Sequence, residues 1–214
     1  MRYLLILFSC FAFSQQGRLY TLAFYNVENL FDAIDDPKTF DDDYTPEERN
    51  KWTSQLVDQK VRLISNILFS IGNEETKRPP FLIGLVEVEN KKMVEKIASS
   101  EKLKAYNYGI AHFESPDFRG IDTALLYRKT LFRPTHQKVY ALELVDHKTG
   151  AKRTTRDILV VSGYLNQHHI TVLINHWPSR RGGKCDLLRN DSKLRSCTEE
   201  LQIQLPANIR RVKS

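Results

Sequence analysis

Phe81-Leu82-Ile83-Gly84-Leu85-Val86-Glu87-Val88 decides how this chain folds. Behind Pro79-Pro80 the run is apolar almost without a break until Glu87, with Gly84 its one interruption. A strand with one wet face alternates apolar and polar residues; this one does not. The pattern predicts a strand buried on both faces, with a carboxylate at its end.

Working outward, Asn90 predicts the cap of a short helix reaching about Ala98. Upstream, Val57, Val61, Ile64, Leu68 and Ile71 recur at steps of four and three, which is helical spacing, and Gly72 stops the run. The span from Arg18 to Glu28 alternates and is rich in β-formers, so it reads as the first strand. The acidic span from Asp32 to Glu48 reads as a solvated loop; its Asp spacing lacks the central Gly of a calcium loop. Further strands are expected at Tyr106 to His112, Ile121 to Tyr127, Lys138 to Leu144, Asp157 to Leu165 and Ile170 to Asn175, with a turn at His147 to Ala151. Strand, helix, strand, helix and then a succession of strands does not suit a purely alternating parallel sheet. A mixed sheet with helices outside, or two packed sheets, fits the order better.

Polar groups stand where three of these strands end. Asn26 and Glu28 close the first, Glu87 closes the buried run, and Asn175-His176 closes the strand from Ile170. Strand ends that open into loops are where a rigid scaffold holds chemical groups. A hard cation such as Mg²⁺ takes one or two carboxylates plus water and phosphate, which suits Glu87 as the main ligand and Asn26 or Glu28 as helpers. His176 is placed to hydrogen-bond a phosphoryl oxygen, and Arg156 to grip a phosphate with its two-pronged head. Each residue also has an ordinary reading. Glu87 is the first polar residue after a core strand, Asn26 a turn residue, His176 a histidine packed beside Trp177, and Arg156 a solvated charge at a strand start. Spacing alone does not choose between these readings.

A resemblance does bear on the choice. Phe24-Tyr25-Asn26-Val27-Glu28-Asn29-Leu30-Phe31-Asp32 resembles the opening motif of the endonuclease/exonuclease/phosphatase superfamily, and Leu85-Val86-Glu87-Val88-Glu89-Asn90 resembles its metal-ligand motif. The segments Ser115-Pro116-Asp117-Phe118-Arg119-Gly120-Ile121-Asp122 with Ala124-Leu125-Leu126-Tyr127, and Asn175-His176-Trp177-Pro178-Ser179-Arg180-Arg181-Gly182-Gly183, resemble its secreted bacterial branch. The four motifs occur in the family's order, and the resemblance runs roughly from Tyr20 to Gly183. It implies a four-layer α/β sandwich, two mixed β-sheets face to face with helices outside. It also implies hydrolysis of phosphodiesters or phosphomonoesters by in-line attack of water at a divalent metal, Mg²⁺ or else Mn²⁺ or Ca²⁺. Glu87, with Glu28, is implied as metal ligand and Asn26 as the residue that orients the metal site. His176 is implied at the scissile phosphate. Arg156, Arg119, Asp122, Ser179 and Arg180 are implied along the substrate cleft.

The chain departs from the family pattern after Gly183. The Gly-Asp-x-Asn and Ser-Asp-His motifs, which supply the water-positioning Asp and complete the metal site, do not occur in it. The expectation is therefore a domain over 18–183, incomplete at its C-terminal side, followed by an atypical basic tail over 184–214. That tail has no convincing strand, with a helix from Ser196 to Leu205 as one alternative. A truncated or frameshifted reading frame is the simplest account, and it implies little or no activity for the chain as given.

Composition adds bounds. The 214 residues make one domain the simplest reading, and 41% apolar content supports a packed core. The net charge of +6 favours polyanionic partners such as nucleic acid, or another phosphodiester. The tail carries half of that excess. Arg2, the apolar run Tyr3 to Phe13 and Ala12-Phe13-Ser14 read as a leader over residues 1–14, too short for the roughly 20 residues of a membrane span. Secretion or a periplasmic location follows, with a monomer that has no stable membrane association after cleavage. Leu7-Phe8-Ser9-Cys10 loosely resembles a lipidation box, which keeps a lipoprotein as the alternative. Cys185 and Cys197 remain after cleavage; they pair in an oxidising compartment or are incidental residues of the tail.

Overall fold

A computed structural model describes residues 18–142, 144–145, 149–177 and 200–204. The leader, Ser179, Arg180 and all three cysteines lie outside them.

The buried run forms β2 (Leu82–Val88), and Glu87 is the one residue in it that is not fully buried. Its neighbours are β1 (Leu22–Leu30), parallel, and β4 (Asp122–Arg128), antiparallel, with β3 (Tyr108–His112) beyond β4. This mixed sheet, sheet A, has the order β1-β2-β4-β3. Its central position explains the unbroken apolar run. Ile83, Leu85 and Val88 pack under helices α1 (Ser54–Ser70) and α3 (Lys91–Ala98), while Leu82 and Val86 pack against a second sheet.

The helices follow their sequence signals. Thr53 caps α1 by accepting from the Leu56 amide, and Asn90 caps α3 by accepting from Met93. Val57, Val61, Ile64 and Leu68 form the buried stripe of α1. Gly72, at a left-handed φ of 66°, follows and leads into the four-residue helix α2 (Asn73–Thr76).

Sheet B has the order β10-β9-β8-β5, from β5 (Phe132–Tyr140), β8 (Ile158–Leu165), β9 (His168–Asn175) and β10 (Glu200–Gln204). Two short strands, β6 (Leu144–Val145) and β7 (Lys152–Arg153), pair in the connection between β5 and β8. Sheet B is antiparallel throughout its described strands, where two mixed sheets were expected. The β8–β9 link is a tight turn with Asn166 at a φ of 55°, and a link that short joins only antiparallel neighbours. On β9, Ile170, Val172 and Ile174 alternate inward to meet Leu159 and Val161 of β8 and the inner face of sheet A.

The two-sheet α/β sandwich is as expected. Among the described residues the helices cover sheet A, so three of the four expected layers are present. Besides the short β6 and β7, which were not expected, two longer strands differ from the sequence reading. β5 begins at Phe132, ahead of the expected Lys138. Pro134 hides this start, because proline reads as a strand breaker; it is tolerated here at a register shift on an edge strand. β10 lies where a strandless tail or a helix was expected. It pairs antiparallel with β9 from Glu200↔Asn175 to Gln204↔Thr171. An open edge on β9 supplies the hydrogen-bond partners that the tail sequence does not advertise.

Candidate active site

The ends of both sheets converge on one edge of the sandwich, and the backbone there departs from ideal strand geometry. On β2 the register with β4 shifts between Val86 and Val88, and Glu87 sits in the left-handed region at a φ of 65°. The consequence is visible in the packing. Ile83 and Leu85 face the helices, so simple alternation would send Glu87 there too. Val88 takes that place instead, and Glu87 is the inserted residue of a bulge, turned away from the helix core. A matching irregularity on β1, between Asn26 and Leu30, puts Glu28 at a φ of 57° and Asn29 at 60°. Left-handed backbone costs a non-glycine residue of order 1 kcal/mol, and such strain persists where the surroundings over-determine it.

Several contacts do so here. The Asn29 amide donates to Glu87 Oε2 at 3.0 Å, which ties the two bulges together. The Glu28 amide donates to Asn26 Oδ1 at 2.8 Å. Lys60 on α1 donates from Nζ to the Glu28 carbonyl and, at 3.3 Å, to that of Asn29. Burial lowers the Lys60 pKa, opposed by the charges of Glu28 and Glu87. Just beyond, Glu89 Oε2 accepts from the Asp32 amide at 2.6 Å, and Asn90 donates to Asp32 Oδ2. Burial, then the nearby Asp32 charge, pushes Glu89 up to about 8.

From sheet B, His176 follows β9 and brings Nε2 to 3.3 Å from Glu87 Oε1, with the two side chains 6% and 16% exposed. Burial first, then the charges of Arg156 and Arg119, push His176 down to about 3, so its ring is neutral near pH 7. Beneath it, Arg156 donates from Nη1 to Asp117 Oδ2 at 2.9 Å and from Nη2 to the His176 carbonyl at 3.0 Å. Asp117 Oδ1 also accepts from the Arg119 amide and side chain, at 3.0 and 3.4 Å.

Glu87, His176, Asn26 and Glu28 thus meet at one edge. Arg156 is buried there, yet both terminal nitrogens expected to grip a phosphate are already engaged. Arg119 is the more exposed arginine of the pair. Asp122 takes a different place from the one its motif implied. Its Oδ1 accepts from the Ser115 amide and hydroxyl, and its Oδ2 lies 3.1 Å from His112 Nε2, with Glu114 adjacent. The acidic loop is only partly solvated. Asp41 and Thr45 are buried, and Tyr44 stacks on Phe31 while its hydroxyl meets the Asn29 side chain.

Lys60, Asn29, Tyr44 and Asp117 are the residues that sequence reasoning missed. Asp117 stood inside a quoted motif, and its signal was proximity to Arg119. Lys60 lies beside the apolar stripe of α1 and carried no signal, because its role depends on a bulge that no pattern foretells.

A model of the endonuclease/exonuclease/phosphatase family matches residues 21–199. No curated protein matches the chain. Among solved structures, the chain is similar to humanized D. rerio TDP2 carrying 14 mutations, with a TM-score of 0.43 and 17% identity over 74% of this chain and 47% of that one. It is similar to D. rerio TDP2 complexed with a single-strand DNA product, with a TM-score of 0.40 and 17% identity over 60% and 42%. The human Nocturnin catalytic domain with a bound sulfate anion gives 0.37 and 14% over 57% and 44%. This chain spans less than half the length of each.

Proposed function

This chain belongs to the endonuclease/exonuclease/phosphatase family, and from that premise we propose that it is a divalent-metal-dependent phosphodiester hydrolase working at the Glu87–His176 junction. The observation that carries the proposal is the bulge at Glu87. A strained backbone aims a carboxylate at a neutral histidine from the opposite sheet, where ordinary alternation would have buried it under a helix.

The residues present fit a hard cation. Glu87 keeps its Oε1 toward the crevice while Asn29 holds Oε2, and Asn26 and Glu28 offer further oxygens from the adjoining bulge. In this reading Glu87, with Glu28, holds Mg²⁺ (or Mn²⁺ or Ca²⁺), and Asn26 orients the site. When bound, such an ion polarises a phosphoryl oxygen and makes water a better nucleophile. Neutral His176 donates a hydrogen bond to a phosphoryl oxygen. Arg119, with Ser179 and Arg180 from the following segment, contacts the substrate phosphates. Arg156 acts as a strut that fixes Asp117 and the His176 backbone. The Gly-Asp-x-Asn and Ser-Asp-His motifs do not occur in the sequence, so slow turnover is expected and metal binding is the primary readout. The proposed substrate is nucleic acid or another phosphodiester, in keeping with the net charge of +6. A leader over residues 1–14 accords with a secreted or periplasmic monomer.

Titration of the full chain with Mn²⁺ tests the reading. Binding that weakens about 10- to 100-fold in Glu87→Ala supports it. Metal-independent, salt-sensitive DNA binding with no metal affinity would instead mark a non-catalytic polyanion-binding protein on the same scaffold.

A further inference from the structure

We propose that His112, Asp122 and Glu114 form a second metal site, for a divalent first-row transition ion such as Zn²⁺, separate from the Glu87 crevice. The three residues each present one ligand atom, and those atoms lie within 4.8 Å of one another. The separation comes from the pleat. On β3, Tyr108 and Ile110 face the helix core, and on β4 so do Ala124 and Leu126. Alternation therefore puts His112 and Asp122 on that same helix-covered face, and Glu114 continues the β3 side of the row. Glu87 and His176 meet on the other side of the sheet, toward sheet B.

The details favour ligation over a plain hydrogen bond. His112 and Asp122 side chains are 2% and 3% exposed, and Nε2 of His112 lies 3.1 Å from Asp122 Oδ2. Even at that distance, His112 Nε2 makes no hydrogen bond. Two ligand atoms at roughly 2.0–2.2 Å from one ion, at near-tetrahedral angles, stand about this far apart. Asp122 is also prepared as a ligand. Both Ser115 donors fall on Oδ1, which fixes the carboxylate and leaves Oδ2 for another partner. Glu114, 72% exposed, lies on the solvent side with Oε1 3.8 Å from the ring's other nitrogen, Nδ1, and its exposure lets it swing toward an ion held at Nε2. One imidazole with two carboxylates suits Zn²⁺ or Mn²⁺; Mg²⁺ favours an all-oxygen shell. The ion would pin both ends of the β3–β4 connection, the segment that carries Asp117 and Arg119 to the crevice.

The test is a calorimetric Zn²⁺ titration of the full chain carrying Glu87→Gln, with thiols alkylated, so that neither the crevice nor the cysteines take the ion. One Zn²⁺ is expected to bind, with affinity reduced about tenfold or more by Glu114→Gln and further by His112→Gln. Glu114 is exposed, so its variant keeps the fold and isolates ligation from stability. Mn²⁺ binding that depends on Glu87 should survive His112→Gln in the otherwise native chain. Absence of Zn²⁺ binding in the Glu87→Gln background overturns the proposal, since His112 then only packs between two carboxylates. Affinity unchanged by both His112→Gln and Glu114→Gln overturns it equally.

Discussion

The ends of β1 and β2 and the connection from β3 to β4 both deliver charged side chains to one edge of the sandwich, by opposite means. The first region uses strained backbone. Glu28, Asn29 and Glu87 all occupy left-handed conformations, and two register shifts break the strand pairing. The second keeps regular β3–β4 pairing up to His112↔Ala124, and holds its charges through side-chain contacts: Asp117 with Arg156 and Arg119, Asp122 with Ser115 and His112. Where the second region does need a left-handed residue it uses Gly120, at a φ of 67°. The difference separates two needs. A turn that requires only the backbone can use glycine. A bulge that must aim a carboxylate cannot, so Glu87 bears the strain itself.

The largest effect should come from breaking the second region's network. Asp117→Ala leaves Arg156, 5% exposed, without its carboxylate, and should cost about 3–5 kcal/mol in denaturant unfolding. A loss below 1 kcal/mol would show that Arg156 finds water or another partner.

Gly120→Ala comes next. It forces an alanine into left-handed backbone, with its Cβ 2.9 Å from Thr39 side-chain carbons. A loss of about 1–3 kcal/mol is expected. Unchanged stability would mean that the turn relaxes and that glycine is not required there.

The smallest effect should have the opposite sign. Glu28→Gly relieves left-handed strain of about 1–2 kcal/mol but adds glycine's entropy in the unfolded chain, for a net gain of about 0.5–1 kcal/mol. Its Mn²⁺ affinity should fall at the same time. Stability and affinity moving in the same direction would break the contrast, because the bulge would then not be exchanging stability for function.

Much of the site was legible before the fold. Glu87 and His176 were marked by position, as polar residues closing apolar strands, and they stand 3.3 Å apart. Arg156 was marked by its place at a strand start, but that argument cannot say which way an arginine turns. Its commitment to Asp117 is a long-range pairing that local pattern does not encode. The start of β5 and the whole of β10 escaped notice for a related reason. Both are edge strands, and their pairing is settled by the neighbour's open hydrogen bonds more than by their own residues.

By itself, then, the sequence determined the central strand, the two amphipathic helices and the strand-end origin of Asn26, Glu87 and His176, because burial periodicity and caps are local properties of the chain. The tertiary structure alone decided that Glu87 turns out of the helix core toward β9, that Lys60 holds the β1 bulge, and that Asp122 joins His112 instead of the crevice. Those outcomes depend on how two sheets and a helix share one edge. A bulge that breaks the strand period there redirects a side chain without leaving any mark in the hydrophobic pattern.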